Sequence, residues 1–350
     1  MRQTISRVLD GGGIRFVEML FRCNIFALVG ARENTRFHPN KVIIWDDQRR
    51  KDIGELSFRH EVKAVRLRRD KVVVILEFKV LLYKFADLSC VLEIDTVSNS
   101  KGLCALCPSP NHTVLTCPGS HRGHVRVELL EHRKTFSVQA HNSPLSCLAL
   151  TLDGSRVATA SEKGTIIRVF DTLTGKQLQE VRRGASSAEI SSLVFSHTAT
   201  LLSCSSVRGT VHVFTLTDAC MVDPSEDQEE SCETKSAMVE SLGAQHSTNC
   251  KSTLSILGGV VNYFNSEWSF AKFRLPDGDG HTICSFSPDP NTIMVVTSTG
   301  HVYNCEFNPA GAAGQDCEVK SSFSFLADAD IKSQAAAEEP DDEDSPRALR

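Results

Sequence analysis

The chain has 350 residues, 41% hydrophobic and 23% charged, with a formal net charge of −5 at neutral pH. It can bury a large core, as one repeat domain or two ordinary ones. No apolar run is long enough to span a bilayer and residues 1–5 lack the apolar core of a signal peptide, so the expected compartment is the cytosol.

From the N-terminus, Asp10 to Gly13 is glycine-rich but does not follow a strand and open a helix, which makes it a poor phosphate cradle. Short β-branched and aromatic runs then recur at Val42, Val80, Val125, Ile166, Val211 and Val302, with first-residue spacings of 38, 45, 41, 45 and 91. The first four intervals suit a four-stranded propeller blade, and the fifth is a blade carrying an insertion. Further short runs begin at Val72, Leu145, Arg156 and Ser192, separated by turn residues such as Pro108, Pro110 and Asp153-Gly154. The expectation is therefore all-β, a WD-repeat-type β-propeller with about six recognisable blades over residues 1–330 and nothing before Gly11 supplying another.

The 13 cysteines are scattered through strands, where a thiol packs as a small hydrophobe. Cys104, Cys107, Cys117, His121 and His124 have a zinc-like composition. However, residues 102–107 also read as a buried strand, in which Cys104 and Cys107, three apart, point to opposite faces; no metal is assigned.

The most informative segment lies around Arg182-Arg183-Gly184. It sits between two near-copies of one pattern: Ser161, Lys163, Thr165 and Arg168 before it, and Ser206, Arg208, Thr210 and His212 after it. If residues 178–183 form an extended outer strand, successive side chains leave on opposite faces, so the two guanidiniums serve different neighbouring blades. A guanidinium forks onto two phosphate oxygens while Ser, Thr and His supply single donors, so each flank is a candidate site for one phosphorylated head group. A solvated arginine pair at a strand end is the plainer alternative.

A long insertion at residues 217–266 separates one strand of a blade from the next, which begins near Trp268. Its first part is acidic, with six acids between Asp223 and Glu233, and its second is apolar, with Leu254, Ile256, Leu257, Val260, Val261, Tyr263 and Phe264. This reads as a tether carrying a membrane-inserting tip, with Lys251 placed to meet lipid head groups, or as a segment folded back on the propeller. Residues 331–350 read as an acidic disordered tail. Setting aside the acidic stretches 223–233 and 338–350 leaves about +5 on the propeller body, which suits an anionic surface.

These residues resemble the PROPPIN family, WD-repeat propellers that bind phosphoinositides in autophagy. The most specific markers are VEMLFRCN at 17–24, PNKVIIWDD at 39–47, EVKAVRLRRD at 61–70, ATASEKGT at 158–165, Arg182-Arg183-Gly184 and SEWSF at 266–270. Val181 fills the position the family usually gives to Phe or Leu, and Ser186 stands where relatives often place a charged residue. The resemblance implies one phosphoinositide site formed by Arg182 with Ser161, Lys163, Thr165, Arg168 and His141, and another by Arg183 with Ser206, Arg208, Thr210 and His212. It also implies phosphatidylinositol 3-phosphate and 3,5-bisphosphate as ligands, and 217–266 as the membrane-anchoring loop. Recruitment to phagophore, endosomal or vacuolar membranes and an autophagy lipid-transfer partner follow from the same resemblance, with no cofactor. Family propellers have seven blades, so most of the first is expected to be missing here, exposing two sheet faces.

The competing readings are fewer. No nucleophile–base–acid set has motif spacing, so no enzyme is assigned. Nucleic-acid binding is disfavoured by 7% aromatics and the lack of a stacking motif. A protein-only propeller scaffold without lipid binding is the serious alternative.

Overall fold

The computed structural model describes residues 12–34, 36–110, 112–217, 248–250, 267–276, 278, 280–289 and 291–325. The membrane-loop residues 254–264 and the acidic tail lie outside the described residues. Among the described residues six sheets, antiparallel apart from two short added strands, follow one another along the chain. The first holds β1 (Ile14–Met19), β2 (Ile25–Gly30), β3 (Lys41–Asp46) and β4 (Lys51–Ser57). The second holds β5 (Ala64–Arg68), β6 (Lys71–Ile75), β7 (Lys79–Lys84) and β8 (Cys90–Asp95). In the third are β9 (Ala105–Leu106), β10 (Val114–Pro118), β11 (His124–Leu129) and β12 (Lys134–Gln139). The fourth comprises β13 (Leu145–Leu150), β14 (Arg156–Ser161), β15 (Ile166–Asp171) and β16 (Gln177–Arg182), and the fifth β17 (Ile190–Phe195), β18 (Leu201–Ser206) and β19 (Thr210–Thr215).

The chain re-enters the described structure through β20 (Glu267–Trp268), which adds in parallel to β16, and β21 (Ala271–Arg274), which pairs with β19 as the fourth strand of the fifth sheet. The last sheet is built from β22 (Thr282–Phe286), β23 (Thr292–Thr297), β24 (His301–Glu306) and β26 (Glu318–Ser324), while β25 (Gln315–Asp316) adds in parallel to β21. Each of the six recurring runs read from the sequence is the third strand of its sheet, which is why their spacing counts sheets.

Middle strands such as β3 and β6 are buried on both faces and read as continuous apolar runs, whereas β11, β15 and β19 alternate around Arg126, Arg168 and His212. Val72, Val73, Val74 and Ile75 of β6 are fully buried, with Val72 and Val74 packing toward the first sheet and Val73 and Ile75 toward the third. Burying each such side chain contributes about 1.5–3 kcal/mol. Similar clusters join the third sheet to the fourth, the fourth to the fifth and the fifth to the sixth. Innermost strands pack in the order β1, β5, β9, β13, β17, β22. Among the described residues no comparable packing joins β22 to β1, and Val17 and Met19 at one end and Ile283 at the other remain 58%, 48% and 61% exposed.

Two sequence expectations need correction. Only Ala105–Leu106 of residues 102–107 is strand, because the Asn99 side chain pins Leu103 through its backbone N (2.8 Å) and O (3.0 Å) and Gly102 turns at φ +66°. The outer strand ends at Arg182, so Arg183 lies just beyond it, held by its backbone N to Thr165 O at 3.0 Å. Cys104 and Cys117 pack into the core between the second and third sheets and Cys107 into another cluster. Burial pushes the Cys104 thiol up to about 12 and Cys117 well above its ordinary value, so both are neutral hydrophobes.

Candidate functional site

The strand pleat sends the two arginines apart. Val181 packs into the core shared with Ile190 and Leu193 of the fifth sheet, so its neighbours Glu180 and Arg182 face the third. Arg168, opposite Glu180 on β15, confirms that direction by donating from Nη1 to the Ala140 carbonyl at 2.5 Å. Arg183 faces the fifth sheet, where its charge reaches Arg208 and His212. Both arginines are nearly buried, 5% and 7% exposed.

The first cleft lies between the third and fourth sheets. Ser161 ends β14, and Lys163 and Thr165 sit in the turn to β15. Gly164 takes φ +58° there, and a Cβ on it would come within 1.8 Å of the Ala188 carbonyl oxygen, so only glycine closes this turn. Arg168 is less available than expected, because Nε donates to Glu180 Oε2 at 2.8 Å in a part-buried ion pair. His141 is buried with Nε2 at 3.0 Å from Thr159 Oγ1 and 3.2 Å from Thr159 O, so it supports the wall of the cleft. Burial, then the Arg168 charge, lowers its pKa to about 4 and keeps it neutral.

The second cleft lies between the fourth and fifth sheets. Arg183 donates from Nε to Gly164 O at 2.9 Å and from Nη2 to Ser186 O at 2.5 Å. These carbonyls orient the guanidinium without neutralising it. Burial presses the Arg183 pKa below its ordinary value, with nearby Arg208 pushing the same way, so a bound anion would relieve a desolvated cation. Ser206 Oγ and Thr210 Oγ1 lie 2.9 Å apart, and Arg208 is exposed in the turn between them. Gly209 closes that turn at φ +64°, its absent Cβ 2.1 Å from Gly278 O. His212 Nδ1 lies 3.0 Å from Ser269 Oγ; burial, then Arg183 and Lys272, lower its pKa to about 4.

The two copies are not in identical register. Ile166 pairs with Arg182 as Thr210 pairs with Arg274, so an extra residue leaves Thr165 in the turn, one position before the register of Thr210. A third copy of the turn, Ser120 to His124 with Gly123 at φ +74°, sits in the third sheet. There Gln139 occupies the register of Arg182, opposite His124, and no arginine pair follows. Sequence reading missed Lys272 and Arg274, which the ladder sets directly opposite His212 and Thr210. Their basic residue type was a signal, but the insertion hides their register.

Among the described residues no group of three or more side chains is arranged to hold a metal ion, and no helix is long and apolar enough to cross a membrane. The chain matches the family model described as PROPPIN over residues 10–326. It is 36% identical over 327 residues to autophagy-related protein 18e of Arabidopsis thaliana, covering 93% of this chain and 80% of that protein. It is 29% identical to autophagy-related protein 18 of Dictyostelium discoideum, covering 94% and 87%. In fold it is similar to Kluyveromyces lactis Hsv2, with a TM-score of 0.66 at 22% identity over 91% of this chain and 88% of that one. A complex titled as KlAtg21 with the coiled-coil of AgAtg16 contains a chain of similar fold, with TM-score 0.65, 22% identity, and 91% and 88% covered. The chain therefore belongs to the PROPPIN family of β-propellers.

Proposed function

We propose that this protein is a phosphoinositide-binding scaffold recruited to membranes in autophagy, recognising phosphatidylinositol 3-phosphate and 3,5-bisphosphate through the two clefts. The observation that carries the reading is the pair of nearly buried, adjacent guanidiniums aimed into separate inter-sheet clefts, one bound by carbonyls rather than carboxylates. A cation held in a buried place is stabilised by an opposite charge, and a phosphate monoester offers one with matching bidentate geometry. Two modest head-group contacts on one rigid body add through effective concentration, and the apolar residues of 254–264 would supply a third attachment by insertion. The reading assigns no catalytic role, and places the protein on phagophore, endosomal or vacuolar membranes beside a lipid-transfer partner.

Vesicle flotation tests this. Binding is expected on vesicles containing either 3-phosphorylated lipid, absent on vesicles without it, and lost when Arg182 and Arg183 both become Thr in a protein whose melting is unchanged. Equal flotation of the double variant would overturn the reading. The second reading, a protein-only scaffold, draws on the solved relative captured with a coiled coil. It predicts no lipid preference.

A further inference from the structure

The two clefts differ in charge where their ladders correspond. In the second, His212 stands opposite Lys272 and Thr210 opposite Arg274. Residues opposed across a ladder share a face, so all four project toward the sheet that carries Arg183. In the first, Arg168 stands opposite Glu180 and Ile166 opposite Arg182. The position held by Lys272 in one cleft is thus held by Glu180 in the other.

The acids also differ in what they cancel. Glu180 is 2.8 Å from Arg168 in a part-buried pair, and so removes one of the first cleft's cations. Lys272 has its nearest carboxylate, Asp316, at 3.8 Å on an exposed edge, where water screens the pair. Thr210, His212, Lys272 and Arg274 line one open depression of about 460 Å³ on the fifth sheet, completed by Phe273, Asp316 and Cys317 and not by Arg183 itself. Burial lowers the proton affinity of His212, and the charges of Arg183 and Lys272 both add to that effect.

Resting on the function proposed above, we infer that Lys272 and Arg274 form a subsite for a second phosphate monoester on the head group. The second cleft then selects the 3,5-bisphosphate, whereas the first reads a single phosphate. Lys272 and Arg274 each offer a charge-assisted hydrogen bond to the added phosphate, and Glu180 at the matching place repels it.

The test isolates each cleft in the full chain. In Arg182→Thr protein, which keeps the second cleft, the soluble head group carrying 3- and 5-phosphates is expected to bind about tenfold tighter than that carrying the 3-phosphate alone. Lys272→Glu in that background should reduce the two to equal affinity, weakening 3,5-bisphosphate binding far more than 3-phosphate binding, and Lys272→Ala should fall between. In Arg183→Thr protein the two compounds should bind within about twofold, and Lys272→Glu should change nothing. The same ranking is expected on vesicles carrying the corresponding lipids. Equal affinity in Arg182→Thr protein, a preference that survives Lys272→Glu, or discrimination confined to the soluble compounds would each overturn the subsite but leave the two-cleft function standing. Failure of every protein, including the unsubstituted chain, to bind either compound or vesicle would overturn both.

Discussion

Arg182 and Arg183 are neighbours in the chain and strangers in space because the buried Val181 fixes the face of Arg182 at the strand end, while bonds to Thr165 O and Gly164 O hold Arg183, just past it, toward the other side. The turns that present the surrounding hydroxyls depend on glycine. At Gly209, φ +64° and a Cβ position 2.1 Å from Gly278 O leave no room for alanine. Gly209→Ala should cost about 2–4 kcal/mol and lower the melting temperature; an unchanged melt would contradict the geometry. The buried imidazoles make stability depend on pH. His141 and His212 titrate near 4 when folded, below the ordinary 6.5. The unfolded chain therefore takes up these protons first: the stability conferred by the neutral rings is complete above pH 6.5 and is lost as pH falls toward 4. For His141 the shift corresponds to about 3 kcal/mol. Denaturant midpoints should fall between pH 7 and roughly 4.5, and fall less in His141→Gln; a flat profile would contradict neutral burial.

At the scale of elements, the insertion is tied at its root. Asn249 accepts from Thr215 N and donates to Thr215 O and Glu267 Oε2, each at 2.7 Å, and Gln179 Nε2 donates to the same carboxylate oxygen at 2.7 Å. This clamp joins the end of β19 to the start of β20, so the strands that hold both clefts are fixed whatever the intervening chain does. Asn249→Ala should cost about 1–3 kcal/mol locally and speed hydrogen exchange of the Thr215 amide at least about tenfold. Unaltered protection would show that the clamp does not hold the strand. The third strands were legible in the sequence because apolar runs recur in them: those at Val42 and Val80 are buried almost throughout, while those at Ile166 and Val211 alternate around Arg168 and His212. β20 and β25 were not, since two residues pairing in parallel leave no periodicity. Arg182, Arg183 and the flanking turns were legible as a duplicated pattern. The Arg168–Glu180 pair and the Lys272–Arg274 row were not, because opposition across a ladder depends on register, and an extra residue in one copy and an insertion in the other conceal it.

Over the whole molecule, five inter-sheet cores fix the relative positions of the six sheets, and through them the two clefts. A rigid array matters because two weak anion contacts strengthen one another only when their separation is set in advance. On the proposed function, the excess positive charge of the body would work in the same direction by drawing it toward anionic surfaces, more weakly as salt rises. Independence of the clefts is the claim from which the rest follows. Titration calorimetry with the soluble 3-phosphate head group measures it directly: two equivalents should bind the unsubstituted protein, one the Arg182→Thr variant, one the Arg183→Thr variant and none the double variant. Loss of all binding in either single variant, with the fold intact, would show one shared site and contradict the account.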